Sequence, residues 1–136
     1  MNILDEVKAI FSRYELKPLM LPEGHNNVYS FIRVYPDFKK DYEAEKDDIF
    51  LFKKYHNHIP VGWYGFDIGQ PIIPAWMDIL DEIVDLCIKS DPDFEIHQIK
   101  LKYGGIRFYV ESKIIEDIGD VGYLIMNKLF DNALIY

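Results

Sequence analysis

Residues 100–110 read KLKYGGIRFYV, and the fold turns on how this stretch pairs with itself. Apolar and polar residues alternate into Gly104-Gly105 and out again. A Gly-Gly pair suits a two-residue type I′ turn, in which both central residues need φ > 0. A turn there sets Tyr103 opposite Ile106, Leu101 opposite Phe108 and Ile99 opposite Val110. Those six side chains share one face, the expected core face. The other face sets Lys102 opposite Arg107, Lys100 opposite Tyr109 and Gln98 opposite Glu111. Like charges directly opposite each other are unfavourable. Solvent, carboxylates from another element or a bound partner must offset them. The hairpin is expected over 96–112.

Just upstream lies the clearest helix of the chain, expected over 74–90. Pro74 suits a first helical position, and Asp91-Pro92 ends the segment. Trp76, Ile79, Leu80, Ile83, Leu86 and Cys87 form one apolar stripe. Asp78, Asp81, Glu82 and Asp85 follow helical spacing on the opposite side. If the apolar stripe packs on the hairpin's apolar face, these four carboxylates point away from it, exposed. Residues 74–95 carry a net charge of −6, whereas residues 96–113 carry +3.

Toward the N-terminus, Ile3, Val7, Ile10, Phe11 and Tyr14 repeat at helical spacing, and Pro18 with the PEGHNN cluster stops that helix. VYSFIRVY (28–35) is rich in β-branched and aromatic residues and reads as a strand. The segment from Asp37 to His58 reads as a helix carrying Phe38, Tyr42, Ile49 and Phe52 on one side, with IFLFKKY a strand as the alternative. Residues 59–74, rich in Gly and Pro, form a long structured loop with room for one short strand. A last helix is expected over 114–134, from Ile118, Val121, Ile125, Leu129 and Phe130. Gly119 and Gly122 each weaken it by about 1 kcal/mol relative to Ala. The expectation is one α+β domain, 1–136, with three or four helices on a small antiparallel sheet built around the hairpin.

Composition narrows the function classes. The chain has 136 residues and a formal net charge of −8. That balance disfavours nucleic acid and anionic membranes, and favours a basic partner. No apolar run reaches the ~20 residues of a spanning helix. Asp5 and Glu6 stand where a secretory signal needs cations and then an apolar run. The single cysteine, Cys87, allows no internal disulfide, which fits a cytoplasmic setting.

No catalytic constellation stands out. Cys87 lies on the apolar stripe of its helix, where a thiol is an inert core residue. His56 and His58, two apart, would share a face on a strand, but a third metal ligand is not evident nearby. No metal or other cofactor is therefore expected. Ser12, Ser30, Ser90 and Ser112 lack motif context, and no phosphate-cradling loop is present. Trp63, Tyr64 and Phe66, set among glycines, either form a protein-binding tip or plug the end of the core.

The run HQIKLKYGGIRFYV (97–110) resembles a segment of small uncharacterised proteins of bacteria and their phages. There a Lys-x-Lys-aromatic-Gly-x-aliphatic-Arg-Phe-Tyr hairpin follows an acidic helix. Lys100, Lys102, Tyr103, Gly104, Ile106, Arg107, Phe108 and Tyr109 carry the resemblance, which covers 76–112. Several of those proteins have a cysteine pair after the hairpin that suggests metal; this chain has none. The resemblance brings no activity with it and implies a mobile-element or inter-bacterial conflict protein.

The functional expectation is a non-catalytic inhibitor, a bacterial immunity or phage anti-defence protein, that masks a basic surface of a protein target. Asp78, Asp81, Glu82 and Asp85 are its expected contacts, with Trp63, Tyr64 and Phe66. The alternative is a module that binds a small anion or a phosphate backbone through Lys100, Lys102, Arg107 and Tyr109. An enzyme with an unfamiliar site ranks third. An acidic face and a basic face on one chain also allow a homodimer.

Overall fold

The computed structural model describes residues 2–18, 51–67, 74–102, 105–129 and 132–135. The expected strand at 28–35 and most of the expected helix after Asp37 lie outside them. The described elements are α1 (Ile3–Ser12), β1 (Glu15–Pro18), a helical segment at 51–55 that runs into a 3-10 turn (His56–His58), and β2 (Gly65–Asp67). They continue with α2 (Pro74–Ser90), β3 (Glu95–Lys102), β4 (Gly105–Glu111), α3 (Ile118–Lys128) and β5 (Asn132–Ile135).

α1 begins where Asn2 can cap it. The Asn2 side-chain oxygen accepts from the backbone N–H of Leu4 at 2.7 Å and of Asp5 at 3.3 Å. Asp5 and Glu6 complement the positive end of the helix. Ile3, Val7, Ile10 and Phe11 are buried. Asp117, just before α3, also accepts from Leu4 N–H at 3.2 Å and ties the two helix starts together.

α2 buries Met77, Ile79, Leu80, Ile83, Val84 and Cys87. The helix stops at Asp91, whose N–H donates to the Cys87 carbonyl at 2.8 Å. Asp91 is itself buried. Its carboxylate accepts from Asp93 N–H and from the Ser112 hydroxyl, joining the end of α2 to the end of the hairpin.

The fold is α+β, but the sheet is mixed. β3 lies between β2, which is parallel to it, and β4, which is antiparallel. The expectation of an antiparallel sheet fails because α2 connects two adjacent strands, and a β-α-β crossover returns the chain in the same direction. At three residues, β2 is too short to show a period. A second, two-stranded sheet pairs β1 with β5 antiparallel.

The hairpin forms with a register different from the one the glycines suggested. Lys102 pairs with Gly105, Leu101 with Ile106, Lys100 with Arg107 and Ile99 with Phe108. The register is displaced by two residues, so both faces keep their membership. An alternating pattern fixes which residues share a face; it does not distinguish registers two residues apart. Ile96, Ile99, Ile106 and Phe108 are accordingly buried. A register shift between Ile96 and Gln98 leaves His97 as the extra residue of a β-bulge.

The last helix is shorter than expected, because the chain leaves it after Lys128 to pair as β5 with β1. Val121, Ile125 and Leu129 bury themselves in the core with residues of α1, α2, β3 and β4. Among the described residues no helix is long and apolar enough to cross a membrane.

Candidate functional site: an aromatic tip on a Glu-His-Glu cluster

Between the 3-10 turn and β2 the chain turns tightly, with Trp63 N–H donating to the Pro60 carbonyl at 3.1 Å. Gly62 and Gly65 both adopt positive φ, +94° and +66°, a conformation that L side chains reach only at a cost. These two glycines bracket Trp63 and Tyr64 and hold both outward. Trp63 is 50% exposed and Tyr64 66%, while Val61 is fully exposed. Phe66, grouped with them as a contact residue, is instead buried core, 6.2 Å from the Tyr55 ring. On β2 it follows the sheet's alternation and points inward.

One face of Trp63 is occupied. Its indole stacks on the His97 imidazole, with centroids 4.2 Å apart and planes 4° apart. The His97 Nε2 atom lies 3.7 Å from Glu95 Oε1 and 3.6 Å from Glu111 Oε2. Glu95 and Glu111 are directly opposed in the β3–β4 register. Three donor atoms of a kind that could hold a metal therefore lie within 4.8 Å of one another. His97 Nε2 is buried and has no hydrogen-bond partner. None of these three residues was singled out from the sequence. The signal was Glu95-x-His97, two residues that share a strand face. Glu111 was hidden by the misplaced register, which set it against Gln98, and by the bulge at His97, which moves its partner one residue further, to Glu95.

The acidic stripe of α2 is less exposed than its spacing suggested. Glu82 accepts from Arg13 and from the Tyr14 hydroxyl. Asp81 accepts from Lys54 Nζ at 2.8 Å and from the Tyr55 hydroxyl. Asp85 pairs with Lys89 at 2.8 Å. Asp78 is exposed but also engaged within the chain. The reason is geometric. The four residues span about 100° of the helix, and the arc is bordered by α1 on the Glu82 side and by residues 51–55 on the Asp81 side. Burial, then Glu82, pushes the Tyr14 hydroxyl up to about 12. Burial, then Asp81, raises Tyr55 as well.

On the hairpin's polar face Lys100 faces Arg107, and Lys100 Nζ lies 6.0 Å from the centre of the Tyr109 ring. The Arg107 guanidinium reaches the thioether of Met126 on α3. Among the described residues no carboxylate lies within ion-pair distance of either cation. Lys102 closes the β3 end of the pairing.

The remaining candidates separate. His56 and His58 sit in a 3-10 turn, not on a strand, and their Nδ1 atoms face different carbonyls, Lys53 at 2.9 Å and Phe94 at 3.0 Å. Cys87 is fully buried, and that burial pushes its thiol up to about 12. A cleft of about 450 Å³ between α1 and α2 is lined by Arg13, Glu82, Asp85 and Lys89, which already pair with one another.

Comparison of the chain with protein-family models, with curated proteins and with solved structures finds no match.

Proposed function

We propose that the protein is a non-catalytic, cytoplasmic protein-binding module that docks a basic surface of its target, as an immunity or anti-defence inhibitor would. The supporting observation is the Val61–Tyr64 tip: three large apolar side chains held out by two positive-φ glycines, above two carboxylates. Exposed aromatics on a rigid turn bind at low entropic cost, and Trp and Tyr are favoured as interface anchors. An aromatic face beside carboxylates suits arginine, which stacks and pairs at once. The tip is favoured over the α2 stripe because the stripe's carboxylates already have partners within the chain.

The test is quantitative capture from a bacterial lysate on immobilised wild-type protein, a Val61→Asp/Tyr64→Asp variant and an Asp78→Asn/Asp85→Asn variant. The reading expects one basic protein retained by the wild type and by the α2 variant. It expects at least tenfold loss on the tip variant, the scale of a central contact. Retention that survives the tip change would overturn it.

One observation favours a second reading, in which Lys100, Arg107 and Tyr109 bind an anion: the two cations face each other, and among the described side chains neither makes an ion pair with a carboxylate. Titration with inorganic phosphate, followed by the amide shifts of Lys100 and Arg107, tests it. A Lys100→Gln/Arg107→Gln variant should then lose the response.

A further inference from the structure

We infer that Glu95, His97 and Glu111 form a binding site for one divalent transition-metal ion of the zinc type, seated under the Trp63 indole. The inference does not depend on the tip binding another protein.

The donor set fits the ion. Neutral imidazole and carboxylate oxygens are ordinary zinc ligands, with metal–donor bonds of about 2.0–2.2 Å. In a tetrahedron, bonds of that length set neighbouring donors about 3.4 Å apart. His97 Nε2 stands 3.7 Å and 3.6 Å from the two carboxylate oxygens. These separations are too long for hydrogen bonds and only slightly wider than a shared metal requires. All three donors lie within 4.8 Å of one another. The closure needed is small, and it falls on the two glutamates, whose side chains are 41% and 57% exposed.

The imidazole is held ready. It is stacked flat on Trp63, and it sits at the register shift of β3, outside the regular pairing, where bulges next to functional sites are common. Its Nε2 is buried without a hydrogen-bond partner, a cost that coordination removes. The two glutamates supply a second reason. Like charges directly opposite each other across a ladder destabilise it. Among the described residues, no lysine or arginine lies within ion-pair distance of either glutamate. A divalent ion between them turns that repulsion into attraction. Three protein ligands also leave a fourth position open, to water or to a group from a partner.

The experiment uses the full chain after dialysis against a strong chelator, with zinc chloride as the probe and calorimetry as the readout. The wild type should bind one zinc per chain and melt at a higher temperature when loaded. Cupric ion at the same site should quench Trp63, an effect that Trp63→Phe removes. Glu111→Gln removes one of the two opposed charges and should leave the metal-free protein folded, melting no lower than the wild type, while weakening zinc at least tenfold, the least expected for a lost ligand. His97→Gln should abolish binding. His56→Gln/His58→Gln should bind zinc like the wild type. Absence of saturable binding to the wild type would overturn the site. So would equal affinity in Glu111→Gln, whatever His97→Gln does to folding.

Discussion

Gly65 packs its α-carbon against the Ile59 side chain. A Cβ at this position would meet Ile59 Cγ1 at 3.0 Å and Cδ1 closer still, on a backbone at φ +66°. Gly62 has φ +94° but open space around it. Both glycines should resist replacement by alanine, for different reasons. Gly62→Ala carries only the backbone cost, about 1–2 kcal/mol. Gly65→Ala adds overpacking of about 1–3 kcal/mol. Urea denaturation should rank Gly65→Ala as the more destabilising. Adding Ile59→Ala to Gly65→Ala should recover part of the steric loss, which a double-mutant cycle would read as coupling. A Gly62→Ala loss equal to that of Gly65→Ala would remove the packing argument.

The glycines of α3 behave oppositely. A Cβ at Gly119 meets nothing within 4 Å, and at Gly122 the nearest atom is the Phe108 carbonyl oxygen at 3.4 Å. Neither has positive φ, so alanine recovers helix propensity. Gly119→Ala should raise stability by about 0.5–1 kcal/mol. Gly122→Ala should be close to neutral, and Gly122→Leu should destabilise by forcing α3 off β4. Thermal melts of the three variants settle the order. A loss of stability in Gly119→Ala would mean that the space beside it is not free.

The carboxylates of α2 should separate by how far their partners are buried. Asp81→Asn leaves the buried Tyr55 hydroxyl with a weaker acceptor and breaks the Lys54 pair, at a cost of about 1–2 kcal/mol. Glu82→Gln removes a more exposed pair, worth less than about 1 kcal/mol. Asp85→Asn should be silent in chemical denaturation, because its partner Lys89 is fully exposed. Reversal of this order would show that stripe-wide repulsion, not the individual partners, sets the energetics.

The pattern of what sequence showed follows from which physical signals are local. Helical periodicity with a first-position proline gave α2 at both ends, and α1 as far as its apolar face. Strand alternation gave the hairpin and its faces, because parity survives a two-residue slip. The register itself hangs on the turn, and the Gly104-Gly105 reading placed it two residues away. That slip, together with the bulge at His97 that adds a further residue, hid the Glu95–Glu111 opposition and, with it, the cluster around His97. β2 and β5 are three and four residues long and exist by pairing with distant strands, which leaves no local trace. The stripe on α2 was legible as a stripe, but its neighbours come from α1 and residues 51–55, and only packing reveals them. For Trp63 and Tyr64 the glycines left a tip and a core plug as alternatives, which only their exposure separates; the imidazole beneath Trp63 left no trace.

Alkaline pH should unfold the protein earlier than exposed groups alone would allow. Cys87 is pushed from an ordinary value of 9.0 up to about 12, first by burial and then by Asp117. Tyr14 is pushed from 10.0 up to about 12 by burial and Glu82, and Tyr55 is raised by burial and Asp81. For each group the folded value lies above the unfolded one. Above the unfolded value the unfolded chain has released a proton that the folded chain still holds. Stability therefore falls as pH rises. The loss begins near 9 with Cys87, steepens past 10 with the tyrosines, and ends for Cys87 and Tyr14 near 12. Self-repulsion of a chain that carries −8 at neutral pH has the same sign. The deciding quantity is thus the difference from Cys87→Val and Tyr14→Phe, compared in urea titrations at one ionic strength. Cys87→Val should delay the onset of the loss, and Tyr14→Phe should flatten it above 10. The same burial should make Cys87 unreactive to iodoacetamide at mildly alkaline pH until denaturant is added. Coincident pH profiles for wild type and both variants would show that these buried protons are not what alkali titrates.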